Sequence, residues 1–150
     1  MVGIGYDSHR FAPNRRLVLG GVEIEHEQGL AGHSDADVLT HAVIDAILGA
    51  AGGGDIGTLF PDDDERWKDA DSIDLLRTAV GTIGGAIVNV DATLICERPR
   101  LAPHRAEMER LIAEATSARV SVKATTNEGM GWIGRGEGIA CIAVALLQSE

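Results

Sequence analysis

The sequence predicts an α+β fold (mixed α/β), a single domain over residues 1–150 with helices packed on one face of a mixed β-sheet. Two observations carry the prediction. Segments with apolar residues at helical spacing alternate with short apolar, β-rich runs, in the order strand, hairpin, helix, helix, strand, helix, strand, loop, strand. Glycine is also abundant, at 19 of 150 residues, against a usual ~7%, which implies many tight turns or close backbone approaches. With aromatics at only 3%, the core must rest on Val, Ile, Leu and Ala.

Val2 to Gly5 reads as a short strand. Leu17-Val18-Leu19 and Val22-Glu23-Ile24 flank Gly20-Gly21, a pair suited to the positive φ values of a hairpin turn. His33-Ser34-Asp35 resembles a helix start, with Ser34 or Asp35 as N-cap. Val38, Leu39, Ala42, Val43, Ala46 and Ile47 follow on one stripe, and Gly52-Gly53-Gly54 should stop the helix. Asp55 to Asp71, with Pro61 and the acids Asp62 to Glu65, reads as a loop. Ser72 is the expected cap of a second helix with Leu75, Leu76, Ala79, Val80 and Ile83 inward, ended by Gly84-Gly85. Ile87 to Cys96 suits an interior strand. Pro103 suits the first position of a third helix that turns Met108, Leu111, Ile112 and Ala115 inward. Val120 to Ala124 reads as a strand, Thr125 to Glu137 as a Gly-rich loop, and Gly138 to Leu147 as a nearly continuous apolar strand.

Charge narrows the partners. Acidic residues number 23 against 13 basic, a formal charge of −10. Such a surface repels nucleic acid, so none is expected. A phosphate substrate would need local neutralisation by metals, backbone N–H groups or a few placed cations. Cys96 and Cys141 have no CxxC spacing and read as buried, reduced thiols of a cytoplasmic protein. No basic and apolar leader precedes Val2, and no apolar run approaches the ~18 residues of a membrane span, so no membrane partner is expected.

Four segments concentrate chemistry. In an extended chain Asp7 and His9 point to the same side and can grip one cation while Ser8 faces away. Taken alone, the same residues also suit Asp7 capping a turn with His9 bonded to it. His33 lies at the expected helix mouth, where free N–H groups favour anions. His41 sits on the apolar stripe, ordinarily the place of a satisfied core histidine, but Asp7 and His9 need a third ligand. Asp, His and His with one open position match a catalytic zinc site. Asp37 and Asp45, at i−4 and i+4, are both candidates to orient the second ring nitrogen of His41. Gly52 to Gly57 and Phe60 to Asp64 suit either a solvated loop or close approach to a ribose or polyol. Lys123 to Glu128 and Gly134 to Gly138 suit either a plain Gly-rich turn or phosphate oxygens, with Glu128 at a Mg²⁺ that takes one or two carboxylates plus substrate phosphates.

Together these segments resemble the 2-C-methyl-D-erythritol 2,4-cyclodiphosphate synthase family. The matching stretches are Gly5 to Phe11, Gly32 to Gly57, Phe60 to Asp64, Trp67 to Ser72, Asn89 to His104 and Val122 to Leu147, collinear over essentially the whole chain. The resemblance implies conversion of 4-diphosphocytidyl-2-C-methyl-D-erythritol 2-phosphate to the cyclic diphosphate with release of CMP, by attack of the 2-phosphate on the β-phosphate. It implies zinc on Asp7, His9 and His41, one per subunit, and Mg²⁺ or Mn²⁺ on Glu128 with the bound diphosphate. His33 and Thr126 match transition-state stabilisers, and Ser34 a phosphate-aligning position. Asp55, Ile56, Gly57, Phe60, Asp62, Asp63 and Asp64 match ribose- or erythritol-contacting positions. Cys96, Arg100, Leu101 and Ala102 match the cytosine cradle, Thr125 the adjoining phosphate segment, and Trp132 and Arg135 positions near the substrate. The family also implies a homotrimer with active sites between subunits. The sequence departs from it at Glu97 and Arg98, which replace less charged residues, at Arg100 for Lys, at Trp132 for Phe, and at Asn127 and Gly129. Two other classes use the same residues: a zinc-dependent phosphoester hydrolase, and a non-catalytic trimer that binds a nucleotide or isoprenoid diphosphate. The product discriminates them.

Overall fold

Asp7 and His9 do not follow the first strand; they lie within it. Strand β1 runs Val2–Ala12 rather than stopping at Gly5, because every residue from Val2 to Arg10 pairs antiparallel with the last strand. The computed structural model describes residues 1–149. The hairpin of β2 (Leu17–Leu19) and β3 (Val22–Ile24) forms as expected, with Gly20 and Gly21 at φ +58° and +77°. Strand β4 (Gly29–Leu30), too short to show in any periodicity, pairs with the end of β1. With β5 (Ala86–Ile95), β6 (Arg119–Thr125) and β7 (Gly138–Gln148) these make a five-stranded mixed sheet in the order β4-β1-β7-β5-β6. Only β5 and β6 run parallel, and β5 is interior as expected.

Helix α1 (Val38–Ala51) packs on β1 and β7. Its N-cap is Asp37, not Ser34 or Asp35. All three are good cap types, but Asp37 does two jobs. Its carboxylate accepts from Thr40 N–H at 3.0 Å and Thr40 O–H at 2.8 Å, and from the Gly20 and Gly21 N–H groups at 2.8 Å each. One buried side chain therefore starts the helix and bolts the β2–β3 hairpin to it. Burial and the nearby Asp35 charge push the Asp37 carboxyl above its ordinary range, against the pull of these donors.

The expected Asp55–Asp71 loop contains α2 (Ile56–Leu59), capped by Asp55, and a 3-10 turn at Glu65–Trp67, capped by Asp64. Helix α3 (Ser72–Gly81) is capped by Asp71, so Ser72 is its first residue rather than its cap, and it ends before Gly84-Gly85. Pro103 sits in a 3-10 turn (Ala102–His104) that leads into α4 (Arg105–Thr116) instead of opening that helix. The Gly-rich loop holds a single turn, α5 (Gly131–Gly134).

The approach of α1 to β1 is close. A Cβ on Gly3 would lie 1.9 Å from Ala46 O, and one on Gly5 1.9 Å from Ala42 O. The two backbones thus meet along a seam of Gly3 and Gly5 against Ala42, Ala46 and Ala50, with Asp7 and His41 at one end. The buried side of β7 is Ile139, Cys141, Ala143, Ala145 and Leu147. The alternate residues of β1 and β7 face away, and they are apolar: Val2 and Ile4 are 69% and 70% exposed, and Tyr6, Ile142, Val144 and Leu146 are exposed beside them. An irregularity between Ile87 and Asn89 shifts the parity of β5, so that Ile87 and then Val90, Ala92 and Leu94 turn inward. Cys96 and Cys141 are free and buried, as expected. Among the described residues no helix is long and apolar enough to cross a membrane.

Candidate active site

Strand alternation sends Asp7 and His9 to the helix side of β1, and α1 brings His41 over them. Asp7 Oδ2 lies 2.8 Å from His9 Nε2 and 3.1 Å from His41 Nδ1, and the two nitrogens are 3.4 Å apart. A tetrahedral zinc with bonds of ~2.0–2.1 Å sets its ligand atoms ~3.3 Å apart, so the triangle fits such an ion with little movement. Among the described residues this is the one group of three His, Cys, Asp or Glu side chains close enough to hold a metal ion. With protons rather than a cation in the triangle, burial pushes the Asp7 carboxyl up. Its hydrogen bonds with His41 and His9, and their charges, outweigh that and hold it at about 2. Burial likewise disfavours charge on His41, yet the Asp7 hydrogen bond and charge lift it above its ordinary value.

The far ring nitrogens decide which lone pairs face the triangle. His9 Nδ1 donates to Ala31 O at 2.8 Å; a carbonyl only accepts, so Nε2 is left free to ligate. His41 Nε2 reaches Ser72 Oγ at 2.8 Å and Ser34 Oγ at 3.1 Å. Neither Asp37 nor Asp45 serves it. Asp37 is spent on the helix cap, and Asp45 accepts from Ile56 N–H at 2.8 Å. Sequence spacing offered the neighbours on the same helix; the partner in fact comes from α3, 31 residues away.

The triad lies in a cleft of about 440 Å³ that His33, Ser34, Ile56, Gly57, Phe60, Asp62 and Asp63 also line. All of these were expected there. Gly32, Pro61, Trp67 and Leu75 complete the wall, of which Trp67 and Leu75 were not expected there; Trp67 meets Phe60 edge-on at 4.9 Å, an aromatic pair with no signal in the sequence. His33 is not at a helix mouth. It stands four residues before the Asp37 cap, its Nε2 lies 2.9 Å from Asp64 O, and Asp37 takes the N–H of Thr40 in the first turn of α1. Ser34 is held instead by its carbonyl, which accepts from Arg15 at 2.7 Å. Asp55 and Asp64 do not line the cleft. Asp55 caps α2 through Thr58 N–H at 2.7 Å, and Asp64 pairs with Arg66 at 2.6 Å.

A second pocket, about 170 Å³, gathers Cys96, Arg100, Leu101, Ala102, Thr125 and Thr126. It stands at the other side of the sheet. His9 pairs with Ile139, and Ile95 with both Ala140 and Thr125, so three strand spacings, ~14 Å, separate β1 from β6. Glu97, noted in the sequence only as a departure, accepts from the N–H groups of Asn127 at 2.8 Å and Gly129 at 2.9 Å. It thereby holds the turn in which Glu128 sits at φ +53°. Burial, helped by the Glu97 charge, pushes the Cys96 thiol up to about 11, toward the protonated form.

The profile of the YgbB family matches residues 1–148. The chain belongs to the YgbB family. It is 56% identical to the 2-C-methyl-D-erythritol 2,4-cyclodiphosphate synthase of Salinibacter ruber, over 99% of this chain and 98% of that one. It is 59% identical to the synthase of Rubrobacter xylanophilus, over 98% and 94%. Among solved structures, the Plasmodium falciparum IspF–CDP complex superposes with a TM-score of 0.84 at 34% identity, covering 99% of this chain and 96% of the other. The resemblance read from the motifs is borne out.

In this YgbB family member the remaining expected residues stand apart from the triad. Trp132 lines a third cleft, about 580 Å³, with Ser8, Arg10 and Phe11. Ser8 and Arg10 alternate with Asp7 and His9, so their side chains leave β1 on the other face from the triad. Arg135 is exposed and pairs with Glu137 at 2.6 Å. Glu128 lines neither of the first two pockets. A single chain thus carries a cleft walled by Asp7, His9, His33 and His41 and a separate pocket that includes Thr125 and Thr126.

Proposed function

We propose that this protein converts 4-diphosphocytidyl-2-C-methyl-D-erythritol 2-phosphate into 2-C-methyl-D-erythritol 2,4-cyclodiphosphate and CMP. An oxygen of the 2-phosphate attacks the β-phosphorus of the same molecule. The new P–O bond closes the ring as the bond to the CMP phosphate breaks, and its electron pair leaves with CMP. The attacking oxygen is already ionised, so the protein need supply no base or nucleophile, only alignment and charge neutralisation. Asp7, His9 and His41 would hold one zinc per subunit and Glu128 a Mg²⁺ or Mn²⁺, and these cations supply Lewis-acid neutralisation of the diphosphate. His33 and Ser34, at the cleft wall, receive the attacking phosphate, and Thr126 the diphosphate side. Ile56, Gly57 and Phe60 pack the erythritol while Asp62 and Asp63 accept from its hydroxyls; Asp55 and Asp64 act by capping the elements that carry this wall. Cys96, Arg100, Leu101 and Ala102 frame the cytidine, Thr125 joins Thr126 on the phosphate side, and Trp132 and Arg135 approach the substrate from outside the triad's own cleft.

One chain keeps its triad cleft and its second pocket apart, so the reading includes a homotrimer that sets the cleft of one subunit against the second pocket of its neighbour. The exposed apolar face of β1 and β7 supports such an assembly. The two buried, unpaired thiols suit a cytoplasmic setting.

The observation that carries the reading is the convergence of Asp7, His9 and His41, whose ligating atoms lie 2.8–3.4 Å apart, inside a cleft that His33 and Ser34 share. Incubation with the diphosphocytidyl substrate, zinc and Mg²⁺, followed by phosphorus NMR, is expected to yield the cyclic diphosphate and CMP. A linear phosphate product, or CMP binding without turnover, would refute it.

A further inference from the structure

His41 is tied at both ends of its ring, and the tie on the side away from Asp7 belongs to another helix. Ser72 Oγ lies 2.8 Å from His41 Nε2. The Ser72 hydroxyl also bonds Asp35 Oδ1, and the Ser72 N–H donates to Asp35 Oδ2 at 3.0 Å. Ser72 has no solvent exposure. An ionised carboxylate can only accept. The Ser72 hydroxyl proton therefore goes to Asp35, which leaves the Ser72 oxygen as an acceptor for the Nε2–H of His41. With Nε2 committed as the protonated nitrogen, Nδ1 is the one that offers a lone pair toward Asp7 and His9.

Asp35 is itself fixed. Its N–H donates to Ala70 O at 3.1 Å, and its Oδ1 accepts from Asp37 N–H at 3.2 Å. The other hydroxyl near His41, that of Ser34, accepts from Ala36 N–H at 3.3 Å and lines the cleft. Ser72 does neither.

We propose that Asp35 and Ser72 are positioning residues for His41: Asp35 orients the Ser72 hydroxyl, Ser72 accepts the Nε2–H, and the pair fixes the tautomer and ring rotation with which His41 ligates the metal. The inference rests on the reading of Asp7, His9 and His41 as metal ligands. It also makes the start of α3 part of the metal site, joined through Asp35–Ala70 and through the Asp69 N–H that donates to His33 O at 2.8 Å.

The test is the zinc dissociation constant of the full-length protein by chelator competition, with the His41 ring followed by ¹⁵N NMR in the zinc-loaded state. Outer partners of ligating histidines are typically worth ~10–100-fold in metal affinity. Ser72→Ala is expected to weaken zinc by that factor and to turn the slowly exchanging His41 Nε2–H into a rapidly exchanging one. Asp35→Asn, which keeps the shape and removes the charge, is expected to weaken zinc by the lower end of that range. Asp45→Asn, at i+4 from His41, is expected to leave both readouts at wild type. Wild-type zinc affinity and a slowly exchanging Nε2–H in Ser72→Ala would overturn the proposal. If Ser72→Ala does not fold, wild-type affinity in Asp35→Asn overturns it. Loss of affinity in Asp45→Asn equal to that in Ser72→Ala overturns it as well, because the effect would then not be specific to the Ser72 side of the ring. A wild-type protein that binds no zinc defeats the metal reading itself, a result distinct from all of these.

Discussion

Gly5→Ala is the smallest change expected to disable the metal triad without touching a ligand. The new Cβ would lie 1.9 Å from Ala42 O and 2.8 Å from Ala46 N. Both are main-chain atoms of α1, so no rotamer change relieves the contact. Cβ contacts essentially never fall below 3.0 Å, so the helix must back away by about 1.1 Å. His41 adjoins Ala42 and Asp7 lies two residues from Gly5, so a shift of that size separates His41 Nδ1 from Asp7 and His9. Metal sites hold their distances to about ±0.2 Å. Overpacking of this kind costs ~1–3 kcal/mol, and in a chain of this size each kcal/mol lowers Tm by roughly 2–4 °C. Metal-free Gly5→Ala should therefore melt about 2–12 °C lower, still folded, and bind zinc at least tenfold more weakly. Gly49→Ala is the control on the same helix. Its Cβ would meet nothing nearer than 3.8 Å, so it should be neutral or stabilise by up to ~1 kcal/mol. Calorimetry on the metal-free proteins and zinc titration of each decide the matter. Wild-type zinc affinity in folded Gly5→Ala would refute the reasoning.

Acid should expel zinc. His41 must lose its Nδ1 proton to ligate, and its raised pKa keeps that proton to higher pH than an ordinary histidine, while Asp7 stays ionised down to about 2. Apparent zinc affinity should fall as pH drops through the histidine range, with proton release on binding; an affinity flat from neutrality to ~5 would contradict this. Glu97→Ala leaves the half-buried Asn127 N–H and the exposed Gly129 N–H to water in place of their acceptor, which loosens the turn that carries Glu128. It should lower turnover and raise the Mg²⁺ needed for half-maximal rate while zinc content is unchanged, and an unaltered Mg²⁺ titration counts against the role. Ile4→Asp puts a charge in the exposed apolar face. If the proposed homotrimer forms through this face, sedimentation should show monomers that bind zinc and turn nothing over, and a trimer in Ile4→Asp would show that another surface carries assembly.

Much of this was legible because it is local. Asp7 and His9 stood out through two-residue alternation; His41, whose place on an apolar stripe suits a core histidine, stood out only because that pair lacks a third ligand. The cap was misplaced because Ser34, Asp35 and Asp37 are equally good caps in isolation; what selects Asp37 is its second pair of bonds, to Gly20 and Gly21 far back in the chain. The same long range hid Ser72. Its serine at a helix start announces a cap, and nothing in the sequence says that Asp71 takes that role and frees Ser72 for His41. Glu97 looked like a departure because its use is to hold a turn some 30 residues on.

Strand β1 carries two messages in alternate letters. The odd positions Gly3, Gly5, Asp7 and His9 spell out the seam and the metal triad; the even ones, Val2, Ile4 and Tyr6, spell out the outward apolar face. Substitutions can edit either message alone, so the outward apolar face can drift in evolution while the Asp7 and His9 row stands still. A frame change cannot. Loss or gain of one residue in β1 would exchange the two rows at once, turning the carboxylate and imidazole outward and driving Ile4 and Tyr6 into the backbone of α1. This strand should therefore tolerate variation in kind but never in length.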